Sequence, residues 1–296
     1  MTPSPDKISV NLFDILTPQS LKDDGFRTFT PMVEPTEIDY DCQLLVKSQP
    51  TQSFTLANIV KKGPYPHNVS VYTDTNIHIG NFVEPSACGF SDTSQIKVAW
   101  LVESHEVHPN TRDIMILSED YYDYIFTFDE ELLARGPKYI ENMVGTSRIL
   151  DSHANLYKKT KNISLIASKQ NRCSGHKLRH EIVKNLDPSI EVDLWGKAYK
   201  PFPYGGKVLP LAQYRYSIVV ENSRFPKYFA DVIIDCFRTG TVPVYWGCPN
   251  IDKYFDISGI IYFENIEELN AVLPTLNAED YANRFESVKK NFELAK

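Results

Sequence analysis

The chain has 296 residues, with 31 Lys and Arg against 38 Asp and Glu and a formal net charge of -7, which argues against a dedicated nucleic-acid binder. Hydrophobic residues at 42% and charged residues at 23% describe a soluble globular protein, long enough for two α/β domains that each bury a core. Its five cysteines show no CxxC pair and no metal-ligand spacing, so they read as reduced and structural, and no metal site is expected. The amino terminus, MTPSPDKISVNLFDIL, lacks a basic start followed by a long apolar run, and no stretch approaches the roughly 20 apolar residues of a membrane span. The expectation is a cytoplasmic chain without a transmembrane segment.

In chain order, residues 7–16 open with a short strand, and Pro and Asp punctuate the chain up to about residue 35. Ile38, Tyr40, Cys42, Leu44 and Val46 alternate as in a half-buried strand. A short helix is expected at 53–61, a strand at 69–72 and a Gly- and Pro-broken loop at 76–90. Residues 97–102, KVAWLV, form a buried strand that ends at Glu103-Ser104-His105-Glu106. Residues 114–118 and then YIFTF at 124–128, before Asp129-Glu130, continue the strand and helix alternation of a doubly wound sheet. The polar stretch 151–161 reads as a linker, and the domain division is drawn there, giving domains 1–157 and 158–296.

The second half restarts with the strand NISLIA at 162–167, the loop SKQNRCSG and the helix HKLRHEIVKNL. Strand, polar loop and basic helix in this order follow the logic of a phosphate site. A short strand at 192–195 and a Pro/Gly loop at 201–206 come next. Residues 214–220 form a buried strand broken at Glu221-Asn222-Ser223. A helix is then expected, with Pro226 in its first turn, apolar residues at Phe229, Val232, Ile233, Cys236 and Phe237, and Gly240 at its end. A second buried strand at 241–246 completes a parallel βαβ unit. Ligands of such sheets sit outside the carboxyl ends of the strands, where Glu221, Asn222, Tyr228 and Asp231 fall. Helices at 265–273 and 278–294 close the chain.

Several side chains invite a chemical role, each beside a plainer one. Glu103, at the end of a strand, suits a general base that takes a proton from an attacking hydroxyl, or it is a solvated surface Glu. His105 and His108 lack the fuller HExxH pattern and read as ordinary. Arg179, following a loop with Ser168, Lys169 and Arg172, suits neutralisation of a diphosphate, or it is an exposed helix arginine. PYGGK at 203–207 lacks the Walker spacing and reads as a turn. Tyr228, Asp231 and Asp235 share one helix face away from the Phe229, Ile233 and Phe237 stripe. Asp231 suits hydrogen bonding to sugar hydroxyls, or it serves the helix dipole.

From residue 214 to 263 the chain resembles the α-1,3/4-fucosyltransferases of glycosyltransferase family 10, in its bacterial form. The family signature runs from FEN with Ser or Thr through Y-V-T-E-K and a helix to a strand with a central Pro. Here VVENS, YFADV, IIDCFRTG, TVPVYWG and CPNI stand in that order. More weakly, NISLIASKQNRCSGHKLR, VDLWGK, KVAWLVES and YDYIFTFD resemble further family segments. The resemblance implies a GT-B fold, two Rossmann-like domains facing across a cleft. The first would be the acceptor side, and the second, ending in a helix, would bind the nucleotide sugar.

It further implies an inverting displacement with no required cofactor or metal, a GDP-sugar as co-substrate and a glycan as acceptor. By matching position, Glu103 falls on the base, Arg179 on the diphosphate-binding arginine, Tyr228 on the Tyr of Y-V-T-E-K, and Glu221 and Asn222 on the pair near the nucleotide. Ser168 and Lys169 stand where the family has Ser-Asn, and Lys169 adds a positive charge. The T-E-K of the family is Ala230-Asp231-Val232 here, so the acid is shortened by a methylene and the lysine is lost. The expected function is transfer of fucose from GDP-fucose to a glycan hydroxyl. The alternatives are a relative that binds nucleotide sugar or glycan without transfer, and a transferase using another GDP-hexose.

Overall fold

The computed structural model describes residues 7–13, 36–39, 68–73, 96–142, 147–197, 199–202 and 207–296. The helix expected at 53–61, the loop at 76–90 and most of the strand expected at 37–46 lie outside the described residues. The chain divides into two compact units, Met1–Val144 and Gly145–Lys296.

In the first unit, β1 (Lys7–Phe13), β2 (Thr36–Asp39), β3 (Asn68–Thr73), β4 (Ile96–Trp100), β5 (Tyr124–Thr127) and β6 (Tyr139–Glu141) form one sheet. Their order is β2-β1-β3-β4-β5-β6. β2 runs antiparallel to β1, and the other pairings are parallel. The apolar run of β4 buries Val98, Ala99 and Trp100, as a strand covered on both faces must. Met115 of α1 (Thr111–Ser118) and Leu132 of α2 (Glu130–Leu133) pack on Ala99, Ile125 and Tyr139. Asp129 caps α2, accepting from the backbone N–H groups of Glu131 and Leu132. Beyond β4 the chain turns tightly, the Ser104 carbonyl accepting from the N–H of Val107 and of His108 at 2.9 and 3.0 Å.

In the second unit, β7 (Lys161–Ile166), β8 (Val192–Trp195), β9 (Tyr214–Val220), β10 (Val242–Trp246) and β11 (Ile261–Tyr262) form a sheet of order β11-β10-β9-β7-β8. Every pairing in it is parallel. Successive strands are linked through α3 (Ser174–Asn185), α4 (Val208–Ala212) and α5 (Asp231–Arg238), and α6 (Ile266–Val272), α7 (Ala278–Asn283) and α8 (Phe285–Leu294) follow β11. Ile163, Leu165, Tyr216, Ile218, Val242 and Val244 of the three central strands lie in one core, against Ile182 of α3 and Leu269 of α6. The winding direction reverses between β7 and β9, which makes a topological switch point there.

Two helices depart from expectation. The helix expected from Pro226 begins at Asp231. Lys227 adopts φ +66° and its N–H donates to Asn250 Oδ1 at 2.8 Å, so the chain turns before it can coil. Gly240, at φ +68°, ends α5 in the left-handed conformation that glycine takes without cost. The helix expected over 278–294 is two helices, broken at Arg284, whose guanidinium donates to Asp280 at 2.9 Å and to the Ser258 carbonyl at 3.0 Å.

The stretch read as a linker is tied into the second unit. Asn155 N–H donates to the Arg238 carbonyl at 3.0 Å, and Arg238 pairs with Asp151. Lys159 Nζ donates to the carbonyls of Ala212 and Thr239, at 3.2 and 2.7 Å, and to Thr241 Oγ1 at 3.0 Å. The division drawn at 157/158 and the contact division at 144/145 differ by residues 145–157.

Burial pushes the Lys159 ammonium from its ordinary 10.5 down to about 7. The unfolded chain therefore holds this proton up to 10.5 while the folded chain releases it near 7. The charged form costs stability below pH 7, and that cost is relieved as the pH rises toward 10.5. Denaturant unfolding of the wild type and Lys159→Met across this range should show the difference moving in favour of the wild type as pH rises. A difference that stays flat would mean that Lys159 titrates as an ordinary lysine.

Candidate active site

The switch point fixes where polar groups of the second unit converge. Residues 167–173 leave the carboxyl end of β7, and Glu221 and Asn222 leave that of β9. The first turn of α3 sits directly on this second exit, with Gly175 N–H donating to the Asn222 carbonyl at 2.9 Å. A Cβ at position 175 would lie 1.7 Å from the Glu221 carbonyl oxygen and 2.7 Å from that of Asn222, so only glycine allows the approach. His176 Nδ1 accepts from the Arg172 N–H at 3.3 Å and lies 3.1 Å from Cys173 Sγ, closing the helix start. Burial, with Arg179 and Arg172 nearby, drives the His176 imidazolium down to about 4, so the ring is neutral.

The close approach brings Arg179 across the end of β9. Its Nε donates to the Val220 carbonyl at 2.9 Å, and its Nη2 donates to the same carbonyl and to Asn222 Oδ1 at 3.1 Å. Among the described residues nothing takes the Nη1 edge of the fork. Burial lowers the Arg179 pKa from its ordinary 12.5 while Glu221, Tyr228 and Asp231 oppose that shift. A guanidinium so placed stays charged.

Glu221 is fully buried. Burial lifts its carboxyl to about 7, against a hydrogen bond from the Ala230 backbone, and Asp231 lifts it further. Asp231 opens α5, and its Oδ2 accepts from Arg148 Nε at 2.8 Å and pairs with Lys207 Nζ. The same Nζ is 3.3 Å from Asp235 Oδ2. Asp235 Oδ1 takes Ser147 Oγ at 2.8 Å and the N–H groups of Arg148 and Ile149 at 2.7 and 3.3 Å. Burial works against the Asp231 charge, but Lys207 and Arg148 outweigh it and hold the acid well below the usual range. At Asp235 burial prevails and raises the pKa.

The second unit thus gathers Arg179, Glu221, Asn222 and Asp231. Tyr228 is buried, 1% exposed, in the turn before α5. Ser168 Oγ accepts from the Gln170 N–H at 3.3 Å, and Lys169 is exposed in the same loop. Glu103 belongs to the first unit, half-buried just past β4. Lys207, which the sequence places in a turn, and Arg148, which it places in the other domain, both join this cluster. Asp235, which shares a helix face with Tyr228 and Asp231 away from the apolar stripe, has a fully buried side chain. The loss of a lysine from the T-E-K position was the available signal, because a site short of one cation invites a search for another.

Both units are α/β layers built on largely parallel sheets, and by structural likeness the chain has the GT-B fold. An alpha1,3-fucosyltransferase solved with GDP-fucose aligns over 98% of this chain and 84% of its own, at a TM-score of 0.53 and 13% identity. HepE of Anabaena, solved with UDP-glucose, aligns over 77% of this chain and 73% of its own, at 0.51 and 13%. Residues 156–294 match the family model for glycosyltransferase family 10 (fucosyltransferase), C-terminal part.

The 3-galactosyl-N-acetylglucosaminide 4-alpha-L-fucosyltransferase of Bos taurus is 26% identical over 142 residues, 46% of this chain and 38% of that protein. The alpha-(1,3)-fucosyltransferase FucT of Helicobacter pylori is 33% identical over 61 residues, 20% of this chain and 13% of that protein. The alignments thus span well under half the length of both relatives. Among the described residues no helix is long and apolar enough to cross a membrane.

Gly175→Ala tests the docking of α3 on β9. Its methyl group would displace backbone, and overpacking of this kind costs about 1–3 kcal/mol or more. The variant should unfold at a correspondingly lower denaturant concentration, and should lose the Arg179 contact with the end of β9 as read by the guanidinium NMR signals. Unchanged stability and signals would show that the two elements are further apart.

Proposed function

We propose that the chain is an inverting glycosyltransferase that moves fucose from GDP-fucose to a hydroxyl of a glycan. The observation that carries this reading is Arg179, clamped across the end of β9 at the switch point with its Nη1 edge directed to no described group. A permanently charged fork there meets the charge that grows on a diphosphate leaving group, without a proton transfer. In this reading Glu103 takes the proton of the acceptor hydroxyl as its oxygen attacks the anomeric carbon. The bond from that carbon to the diphosphate breaks on the opposite side, and GDP leaves with the electron pair. Glu221, Asn222, Tyr228 and Asp231, with Ser168 and Lys169 in the neighbouring loop, belong to the donor side. Arg179 supplies the positive charge, so the reading calls for no metal or other cofactor.

The second reading is a protein that binds a nucleotide sugar or glycan without transferring it, or that takes another GDP-hexose. It is favoured by Asp231, whose Oδ2 is engaged by Lys207 and Arg148 and is drawn back from where a longer acid would reach.

A mass-spectrometric screen of GDP- and UDP-sugars with mixed glycan acceptors separates these readings. The expected result is a product heavier by one deoxyhexose with GDP-fucose alone, and loss of at least ~100-fold in rate for Glu103→Gln, the scale of general base catalysis. Thermal stabilisation by GDP with no turnover of any sugar would favour the binding protein. Turnover undiminished in Glu103→Gln would remove that residue from the mechanism.

A further inference from the structure

Lys207 is a buried cation that the proposed mechanism leaves unused. Its ammonium, 13% exposed, stands between Asp231 Oδ2 and Asp235 Oδ2. The two acids are four positions apart on α5, and Lys207 approaches from the start of α4. The contact with Asp231 is a hydrogen bond and uses one of the three N–H donors of the ammonium, while Asp235 is held as an ion pair at 3.3 Å. Burial works against the charge of Lys207, but Asp231 and Asp235 raise its pKa, so the group is a fixed positive charge. Its field is felt at Glu221, which also feels Arg179 and Asp231. Lys207 thus belongs electrostatically to the cluster at the end of β9.

Position 232, directly after Asp231, carries a half-buried valine where the family signature carries lysine. The shorter Asp231 side chain keeps its carboxylate close to its own helix, and there it holds the ammonium that comes from another element. We propose that Lys207, positioned by Asp231 and Asp235, supplies the positive charge to the donor diphosphate that position 232 does not. This inference rests on the reading of a GDP-sugar site. It makes Asp231 a positioning residue, whose Oδ2 orients the Lys207 ammonium and the Arg148 guanidinium rather than holding a sugar hydroxyl.

A lysine that merely neutralises two buried acids would affect folding and leave ligand discrimination alone. The test therefore compares binding of GDP with binding of guanosine, by calorimetry, on proteins whose folding is checked by thermal unfolding. Lys207→Met combined with Asp235→Asn removes one charge of each sign and limits the folding penalty. The expected result is a loss of about ten- to hundredfold in GDP affinity, the scale of a charge-assisted hydrogen bond, with guanosine affinity unchanged. Adding Val232→Lys to this variant should restore most of the loss.

Parallel losses for GDP and guanosine, or no loss for either, would overturn the proposal. Val232→Lys alone gives an answer that does not depend on how the Lys207 variant folds. A gain in GDP affinity of less than about threefold is expected if Lys207 already meets the diphosphate, whereas a gain of about tenfold or more would show that the charge is missing. A wild-type protein that binds guanosine and GDP equally would overturn the diphosphate role of both Lys207 and Arg179, and one that binds neither would overturn the GDP-sugar reading beneath it.

Discussion

The second unit depends on how it accommodates the carboxylate of Asp235, whose side chain is fully buried. One oxygen takes a hydroxyl and two backbone N–H groups from residues 147–149, and the other faces the Lys207 ammonium. A buried acid with these partners fastens three stretches that are remote in sequence, because removing any one leaves a charge in a medium that solvates it poorly. Asp231 lies one turn earlier on the same helix, close enough to repel Asp235, and the shared lysine offsets that repulsion. The amino-terminal segment of the unit, α4 and α5 are thereby held as one body. Asp151 and Lys159 extend the attachment through Arg238, Thr239 and Thr241.

A second constraint acts at the end of β9. A parallel sheet leaves carbonyls at its carboxyl edge without strand partners, and these must be satisfied elsewhere. Here the Val220 carbonyl is taken by Arg179 and the Asn222 carbonyl by the N–H of Gly175. The same contacts that complete the backbone accounting of the fold also hold a guanidinium at the switch point. One edge of this fork supports the strand end, and in the proposed function the other is the edge that meets the diphosphate.

The strands of the second unit were legible because buried parallel strands are written as continuous apolar runs, as in residues 214–220 and 242–246. Polar residues directly after such runs stand out for the same reason, as Glu221 and Asn222 do after residues 214–220. The start of α5 was misread because Pro226 is a sound helix-start cue locally, while the left-handed Lys227 depends on Asn250, a residue from beyond β10. Residues 151–161 look like a linker since their lysines and Asp151 are polar. Their partners are backbone carbonyls and a buried arginine that no local pattern displays. Lys207 and Arg148 were hidden in the same way, since only the winding of the sheet brings residues 148, 207, 231 and 235 together. Tyr228, which the sequence places on a polar helix face, lies buried in the turn before α5 because the helix starts three residues later.

The charges of this cluster form three cations, Arg148, Arg179 and Lys207, against three acids, Glu221, Asp231 and Asp235. Asp231 is held ionised by its two partners, and the cations keep their charge throughout the neutral range. Glu221 differs, since burial brings its titration to about 7 and it has no cation in direct contact among the described residues. Near neutrality the cluster thus adjusts its net charge at Glu221. A diphosphate bound as proposed beside Arg179 and Lys207 would make the local potential more negative and so favour the protonated form of that acid. The burial that makes Glu221 costly to ionise is imposed by the same tight junction of α3, β9 and β10 that aims Arg179. Fold and charge balance at this site have a common origin in the close approach that Gly175 permits.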